Sequence, residues 1–367
     1  MQIKITTLPG DGIGPEVTSE AVRVLRAMAD TFGHALEVTE KKLGGAALLA
    51  SNQPLPKDTL EASLSSQAVL LGAVGGPAFD SYPPGLRPES GLLRLRKELG
   101  VFANLRPAVC LPELEHQSPL RAEVVRGTDI LIVRELLGGL YFGDRSTQGE
   151  PGKRSAIDSM MYSEAQIEAI ARVAFELARK RRKQVTSVDK ANVLDCSRLW
   201  REVVTRVGKG FPEVTLSHLY VDSAAMALVS RPAEFDTLLT ENMFGDILSD
   251  QAGAVVGSLG LLPSASIGGK VGLYEPIHGS APTIAGKGIA NPLGAILSGA
   301  LMLRYSFHLE LEAAAIESAV RAVLAAGHRT RDLAAAREES VSTERMGELV
   351  SQQIKNSSAR SERRPAS

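Results

Sequence analysis

Strand-length apolar runs alternate with helix-length amphipathic stretches along almost the whole chain. That rhythm leaves few ways to fold. "IKITTLP" reads as a strand, and "PEVTSEAVRVLRAMADTF" as a helix with Pro15 at its first position, where a missing N–H costs nothing. "AVLLGAVGG" and "DILIVRE" are nearly continuous apolar runs ended by glycine or charge, as buried parallel strands require. "SEAQIEAIARVAFELARKRRK" predicts a long helix and "QVTSVDK" the next strand, and "SHLYVD" and "FDTLLTE" repeat the step. The expected class is α/β with a largely parallel sheet. A length of 367 residues suggests two domains, with core enough to fold without disulfide or metal.

Composition narrows the function classes. A formal net charge of -1 gives no general attraction to nucleic acid or to membrane surfaces. The basic run "ARKRRK" (residues 178–183) reads either as a nucleic-acid patch or, more plainly, as a solvated helix end whose cations suit the helix dipole. Cys110 and Cys196 have no CxxC spacing, which fits a reducing compartment. The first residues lack the apolar core of a signal peptide, and no apolar run has membrane-spanning length, so a soluble cytoplasmic protein is expected. The polar segment 356–367 is expected to be a disordered tail.

Several motifs carry chemistry. "LPGDGIGPE" is glycine-rich but is not a dinucleotide fingerprint: Gly10, Gly12 and Gly14 are spaced G-x-G-x-G, and Pro15 follows at once. In "FGDILSD", Asp246 and Asp250 are four apart, so on a helix both carboxylates share one face. Like charges so placed repel. The pair is therefore either a solvated acidic face or a site for a hard divalent cation. Asp222, Lys190 and Arg134 each stand at the end of a strand-like run, where parallel sheets gather ligands. Beside a metal ion a lysine can act as a general base. Arg96, Arg106 and Arg134 together would suit a dicarboxylate, because the guanidinium fork pairs with carboxylates two bonds at a time. Tyr141, between glycines in "GGLYFG", is a candidate proton donor or a core ring with a wet tip. "HGSAPTIAGKGIANP" (278–292) has the composition of a loop that lets backbone approach a ligand.

These segments, with "RPESGLLRLRKELGVFANLRP", "SVDKANVL", "YVDSAAM" and "EPIHGSAP", run in the same order over about residues 3–350 as in a known family. The chain resembles the isocitrate/isopropylmalate dehydrogenase family of β-decarboxylating hydroxyacid dehydrogenases. The resemblance implies a two-domain fold without a classical Rossmann turn. Residues 1–101 with 257–355 would form the cofactor domain, and 102–256 the substrate, metal and dimerisation domain. It implies a homodimer, with Lys190 and Asp222 entering the neighbouring subunit's site.

The same resemblance implies NAD as cofactor. Gly76, Glu89 and the loop residues His278, Gly279, Ser280, Ala281, Pro282, Thr283, Ile284, Ala285, Gly286, Lys287, Gly288, Ile289, Ala290 and Asn291 would bind it. Asp222, Asp246 and Asp250 would hold Mg²⁺ or Mn²⁺. Arg96, Arg106, Arg134 and Asp222 would hold the substrate, with Lys190 as catalytic base and Tyr141 as catalytic acid. Leu92 would face an apolar substituent, which favours 3-isopropylmalate and leucine biosynthesis over isocitrate. The alternative is a related β-decarboxylating dehydrogenase acting on homoisocitrate, tartrate or another 2-hydroxy diacid. One of Leu92 and Leu93 is expected to serve the core instead. Thr283 departs from the family, whose NAD-using members carry aspartate there.

Overall fold

The computed structural model describes residues 1–257, 259–335 and 338–361. The chain forms two compact units, Met1–Val101 with Ser258–Ser367, and Phe102–Gly257. In chain order the first unit begins with β1 (Gln2–Gly10), α1 (Gly14–Phe32), β2 (Ala35–Glu40), α2 (Gly45–Ser51), α3 (Lys57–Ser65), β3 (Ala68–Ala73) and α4 (Pro88–Leu99). The second unit runs β4 (Ala103–Val109), α5 (Ala122–Val125), β5 (Asp129–Glu135), β6 (Arg145–Gln148), β7 (Ser155–Asp158), α6 (Glu164–Arg179), β8 (Gln184–Asp189), α7 (Asp195–Gly208), β9 (Thr215–Tyr220), α8 (Val221–Ser230), β10 (Thr237–Thr240) and α9 (Asn242–Val256). The chain then returns to the first unit with β11 (Pro263–Ile267), β12 (Gly272–Pro276), α10 (Leu293–Ser306), α11 (Glu310–Ala325) and α12 (Thr343–Ser361).

In the first unit the strands lie in the order β2-β1-β3-β12-β11, all neighbours parallel except β11 and β12. Every residue of β3 is buried, as its unbroken apolar run requires. α1 packs against α10 and α12 through a stripe that includes Val17, Ala21, Val24, Leu25 and Met28. Full burial of each larger side chain in that stripe contributes about 1.5–3 kcal/mol. In the second unit the order is β4-β5-β10-β8-β9, parallel except for β4 against β5. β6 and β7 make a separate antiparallel hairpin whose residues are all exposed.

Two expectations change. The helix α12 continues to Ser361, six residues into the segment read as a tail, and 362–367 lies outside the described residues. The basic run at 178–183 is not simply solvated. α6 ends at Arg179, and Arg181 then bonds the fully buried carboxylate of Asp236 at 2.8 Å and Asp129 at 2.9 Å. The run serves as a fastening of α6 to two strand ends.

Candidate active site

α9 is built to present two carboxylates. Its cap, Glu241, accepts hydrogen bonds from the N–H groups of Met243 and Phe244, which fixes the first turn. One turn on, Asp246 is held from three sides. Arg106 Nη1 donates to its Oδ1 at 3.1 Å, Arg134 Nη1 donates to the same oxygen, and the Tyr141 hydroxyl donates to Oδ2 at 2.9 Å. Arg134 is oriented by Asn242 Oδ1, which accepts from its Nε and Nη2. Arg106 is oriented by Asn104 Oδ1 at 2.7 Å and Ser249 Oγ at 2.6 Å. Gly245 makes room: a Cβ there would lie 2.7 Å from Arg134 Cγ.

The aspartate pair is therefore not left to repel. Two buried guanidinium groups compensate Asp246, and Arg106 also reaches Asp250 at 3.7 Å. The Asp250 side chain stays 62% exposed. Burial raises its pKa, and Arg106 works against that rise. The Tyr141 hydroxyl is pushed up to about 12, first by burial and then by the charge of Asp246. It keeps its proton at neutral pH and is in the form a proton donor needs.

Lys190 and Asp222 form a second group in the same unit. β8 and β9 are parallel neighbours with Asp189 opposite Tyr220, so the residues just beyond both strands emerge side by side. Asp189 is buried, takes both bonds of Arg201 at 2.8 and 2.9 Å, and accepts from the Ala191 N–H. The turn carrying Lys190 is thereby fixed. Lys190 Nζ donates to Asp222 Oδ1, and that bond lowers the Asp222 pKa. Among the described residues no three carboxylate, imidazole or thiol groups converge as a metal site. Asp222 is spent on Lys190 rather than gathered with Asp246 and Asp250.

In the first unit, Arg96 Nη2 donates to the buried Glu275 at 2.6 Å, while its buried Nε has no hydrogen-bond partner among the described residues. Leu92 and Leu93 on α4 are both only half-buried; Leu95 and Leu99 are the core residues of that helix. Neither leucine of the pair is a core residue. The loop 278–291 lies against "GDGIGPE": the Ile13 N–H donates to Ser280 O at 2.9 Å. A Cβ at Gly12 would sit 2.0 Å from the same oxygen, and Gly12 has φ +59°, so only glycine fits. Gly76 lies against Ser280 Oγ, and Glu89 against Gly75. Thr283 and Lys287 are exposed. Asn291 is engaged by the protein, its Nδ2 donating to Asp332 and its Oδ1 accepting from Leu293 N–H, both at 3.0 Å.

The sequence matches the isocitrate/isopropylmalate dehydrogenase family over residues 4–350. The chain belongs to that family. It is 56% identical over 352 residues to the 3-isopropylmalate dehydrogenase of Moorella thermoacetica, covering 96% of this chain and 99% of that one. It is 55% identical over 359 residues to the protein of the same name from Halalkalibacterium halodurans, covering 97% and 99%. Among solved structures it resembles the isocitrate dehydrogenase of Methylococcus capsulatus, with a TM-score of 0.86, 34% identity and coverage of 96% and 99%. It also resembles a β-decarboxylating dehydrogenase of Thermococcus kodakarensis in its apo form, with a TM-score of 0.80, 37% identity and full coverage of both chains. The mostly parallel α/β architecture is that of the family.

Within this family frame the structure adds residues that sequence reasoning passed over. Asn104, two before Arg106 on β4, was visible only as a same-face strand neighbour. Tyr162 is a hub. Its hydroxyl lies 3.1 Å from Glu135 Oε2 and 3.4 Å from Glu241 Oε2, and it accepts from the Asn242 N–H at 3.0 Å. Glu135 in turn accepts from Leu137 and Gly138 N–H, at the root of the segment carrying Tyr141. Burial raises the pKa values of both glutamates and of Tyr162.

Proposed function

We propose that this chain catalyses the NAD-dependent oxidative decarboxylation of 3-isopropylmalate, a step of leucine biosynthesis, in the cytoplasm. The observation that carries the reading is 56% identity across 99% of a relative named for that activity. When bound, NAD would supply the acceptor for the hydride at C2 of the substrate, and a divalent cation would supply positive charge beside the substrate oxygen. The chain's own groups do the rest. Arg96, Arg106 and Arg134 would each pair with a substrate carboxylate, and the Arg96 Nε, without a hydrogen-bond partner among the described residues, supports that role. Lys190, reaching in from a second copy, takes the hydroxyl proton; the C3 carboxylate leaves as CO₂ once C2 is a ketone, and Tyr141, protonated at neutral pH, delivers a proton to C3 in its place.

Two observations support loop 278–291 as the cofactor loop. Among the described residues His278 Nε2 is buried without a hydrogen-bond partner, and a Cβ on Gly279, Gly286 or Gly288 would meet nothing within 4 Å, which leaves room for a ligand beside the loop. The first unit is thus proposed as the cofactor domain and the second as the substrate and metal domain. For the cation, Asp250 is the open carboxylate, and Mg²⁺ or Mn²⁺ suits its hard oxygen. Asp222 would join Asp246 and Asp250 from a second copy. Met226, Val229 and Ile247 are 67%, 43% and 58% exposed on the neighbouring helices α8 and α9, an apolar patch that favours a homodimer. Met226→Glu is expected to yield monomers by light scattering and to abolish turnover; a fully active dimer would remove this patch from the interface.

The deciding assay is NADH formation with Mg²⁺ over 3-isopropylmalate, isocitrate, homoisocitrate and tartrate. Isopropylmalate should lead in kcat/KM, because half-buried Leu92 and Leu93 meet an apolar branch and leave a further carboxylate unpaired. Preference for isocitrate or tartrate would overturn the substrate. Thr283 sets a second expectation. A threonine offers the ribose a neutral hydrogen bond where aspartate offers a charged one, and it does not repel a 2′-phosphate. Thr283→Asp should lower the KM for NAD by about tenfold and widen the margin over NADP. A parent that prefers NADP, or a variant that binds NAD more weakly, would show that Thr283 does not meet the ribose.

A further inference from the structure

The motif "GDGIGPE" is not absorbed by the function proposed above, because it fails as a phosphate-binding turn. The structure shows why. The Asp11, Ile13 and Gly14 N–H groups are spent on Ala73, Ser280 and Asp11 carbonyls, and Pro15 has none. Where a dinucleotide turn offers amides to a phosphate, this turn offers carboxylates to amides. Asp11, buried, accepts from Gly45, Ala46 and Gly75 N–H at 2.7–2.8 Å. Glu16, in the first turn of α1, accepts from Gly286 N–H through one oxygen at 2.5 Å and from Gly288 N–H through the other at 3.0 Å.

We propose that Glu16 is a positioning residue for the cofactor: its carboxylate clasps Gly286 and Gly288 and holds the loop in its receiving shape before a dinucleotide arrives. The proposal rests on the reading of 278–291 as the cofactor loop. Gly286 and Gly288 have φ +74° and +64°, and a Cβ on either would touch nothing, so no side-chain packing fixes them. The loop's other fastenings among the described residues lie toward its ends: Ile13 N–H to Ser280 O and Thr343 N–H to Gly288 O at 2.9 Å, Thr343 Oγ1 to Ala290 O at 2.6 Å, and Asn291 Nδ2 to Asp332 at 3.0 Å. Between them, local turn bonds from Ile284 N–H and Lys287 N–H run only within the loop. Among the described residues Glu16 alone reaches Gly286 from outside the loop, and it joins Thr343 on Gly288, with charge-assisted bonds, the stronger kind. A loop ordered in advance loses less freedom on binding, so the clasp should act on cofactor affinity and not on the chemical step.

Glu16→Gln and Glu16→Ala test this by two readouts. The first is hydrogen exchange of peptides covering 278–292, with and without NAD. The second is steady-state kinetics in NAD. Glutamine keeps one acceptor and sets an amide donor against the second N–H, so it should fall between parent and alanine. In the ligand-free protein, exchange of the loop should rise in both variants while α6 peptides stay unchanged. The KM for NAD should rise about tenfold in the alanine variant, the effect of one lost bond to a charged group, with kcat at saturation within about threefold. Unchanged exchange, or a fall in kcat without a change in KM, overturns the role of Glu16. If NAD does not protect 278–292 in the parent, the loop assignment itself fails, and the positioning role falls with it. If NAD protects the parent loop and the variants match the parent, only the clasp is wrong.

Discussion

Replacing Lys190 with methionine should lower turnover of 3-isopropylmalate by about 10³-fold, the middle of the range for a lost acid–base group. Methionine nearly matches the lysine stem in length, so packing at the end of β8 is retained. The turn itself does not depend on the ammonium, because Asp189, Arg201 and the Ala191 N–H fix it. The NAD dissociation constant and thermal stability should stay close to the parent's. The Lys190–Asp222 bond joins partly exposed groups, and such pairs contribute little to folding. Steady-state kinetics with a fluorescence titration of NADH binding separates the two effects. Turnover within tenfold of the parent would remove Lys190 from the proton path.

The second large effect divides between two aspartates. Asp250→Asn and Asp246→Asn should each cut turnover at fixed Mg²⁺ by about 10²-fold or more, since charge stabilisation by a metal is worth several kcal/mol and each 1.4 kcal/mol is tenfold. Their stabilities should differ. Asp250 is 62% exposed and meets Arg106 only at 3.7 Å, so its amide should fold like the parent. Asp246 faces Arg134 and Arg106, whose side chains are 2% and 9% exposed, and an amide there removes the carboxylate charge that the two cations share. The loss should approach about 3 kcal/mol, the low end for a broken buried pair, because Asp246 itself is 32% exposed. Activity against Mg²⁺ concentration, with calorimetry, checks both. Parent-like activity of both variants at saturating Mg²⁺ would end the metal assignment. Equal stability of the two would mean that the arginine clamp does not hold the fold.

Much of this was legible in the chain because its signals are local. β3 and β5 announce themselves as unbroken apolar runs, and Pro15 marks the start of α1 within two residues. The shared face of Asp246 and Asp250 follows from helical spacing alone. Lys190 and Asp222 stand out where an apolar run ends in charge. The contacts that decide each group's behaviour were not legible, since they join residues far apart whose meeting depends on strand register. No pattern near Asp246 says that Arg106 and Arg134 neutralise it. The run at 178–183 looks solvated until β5 and β10 bring Asp129 and Asp236 beneath Arg181. Tyr162 looks like one more aromatic until Glu135, Glu241 and Asn242 converge on its hydroxyl.

The contact between Gly12 and Ser280 bears on how such genes can be recombined. A methyl group at Gly12 would collide with the Ser280 carbonyl, and Glu16 reaches amides 270 residues downstream. The loop is therefore not a portable cassette. A chimera with a crossover anywhere between residues 16 and 278 inherits its loop from one parent and the surface that shapes it from the other. Libraries shuffled among relatives should survive best when both stretches come from the same donor, however well the intervening sequence matches.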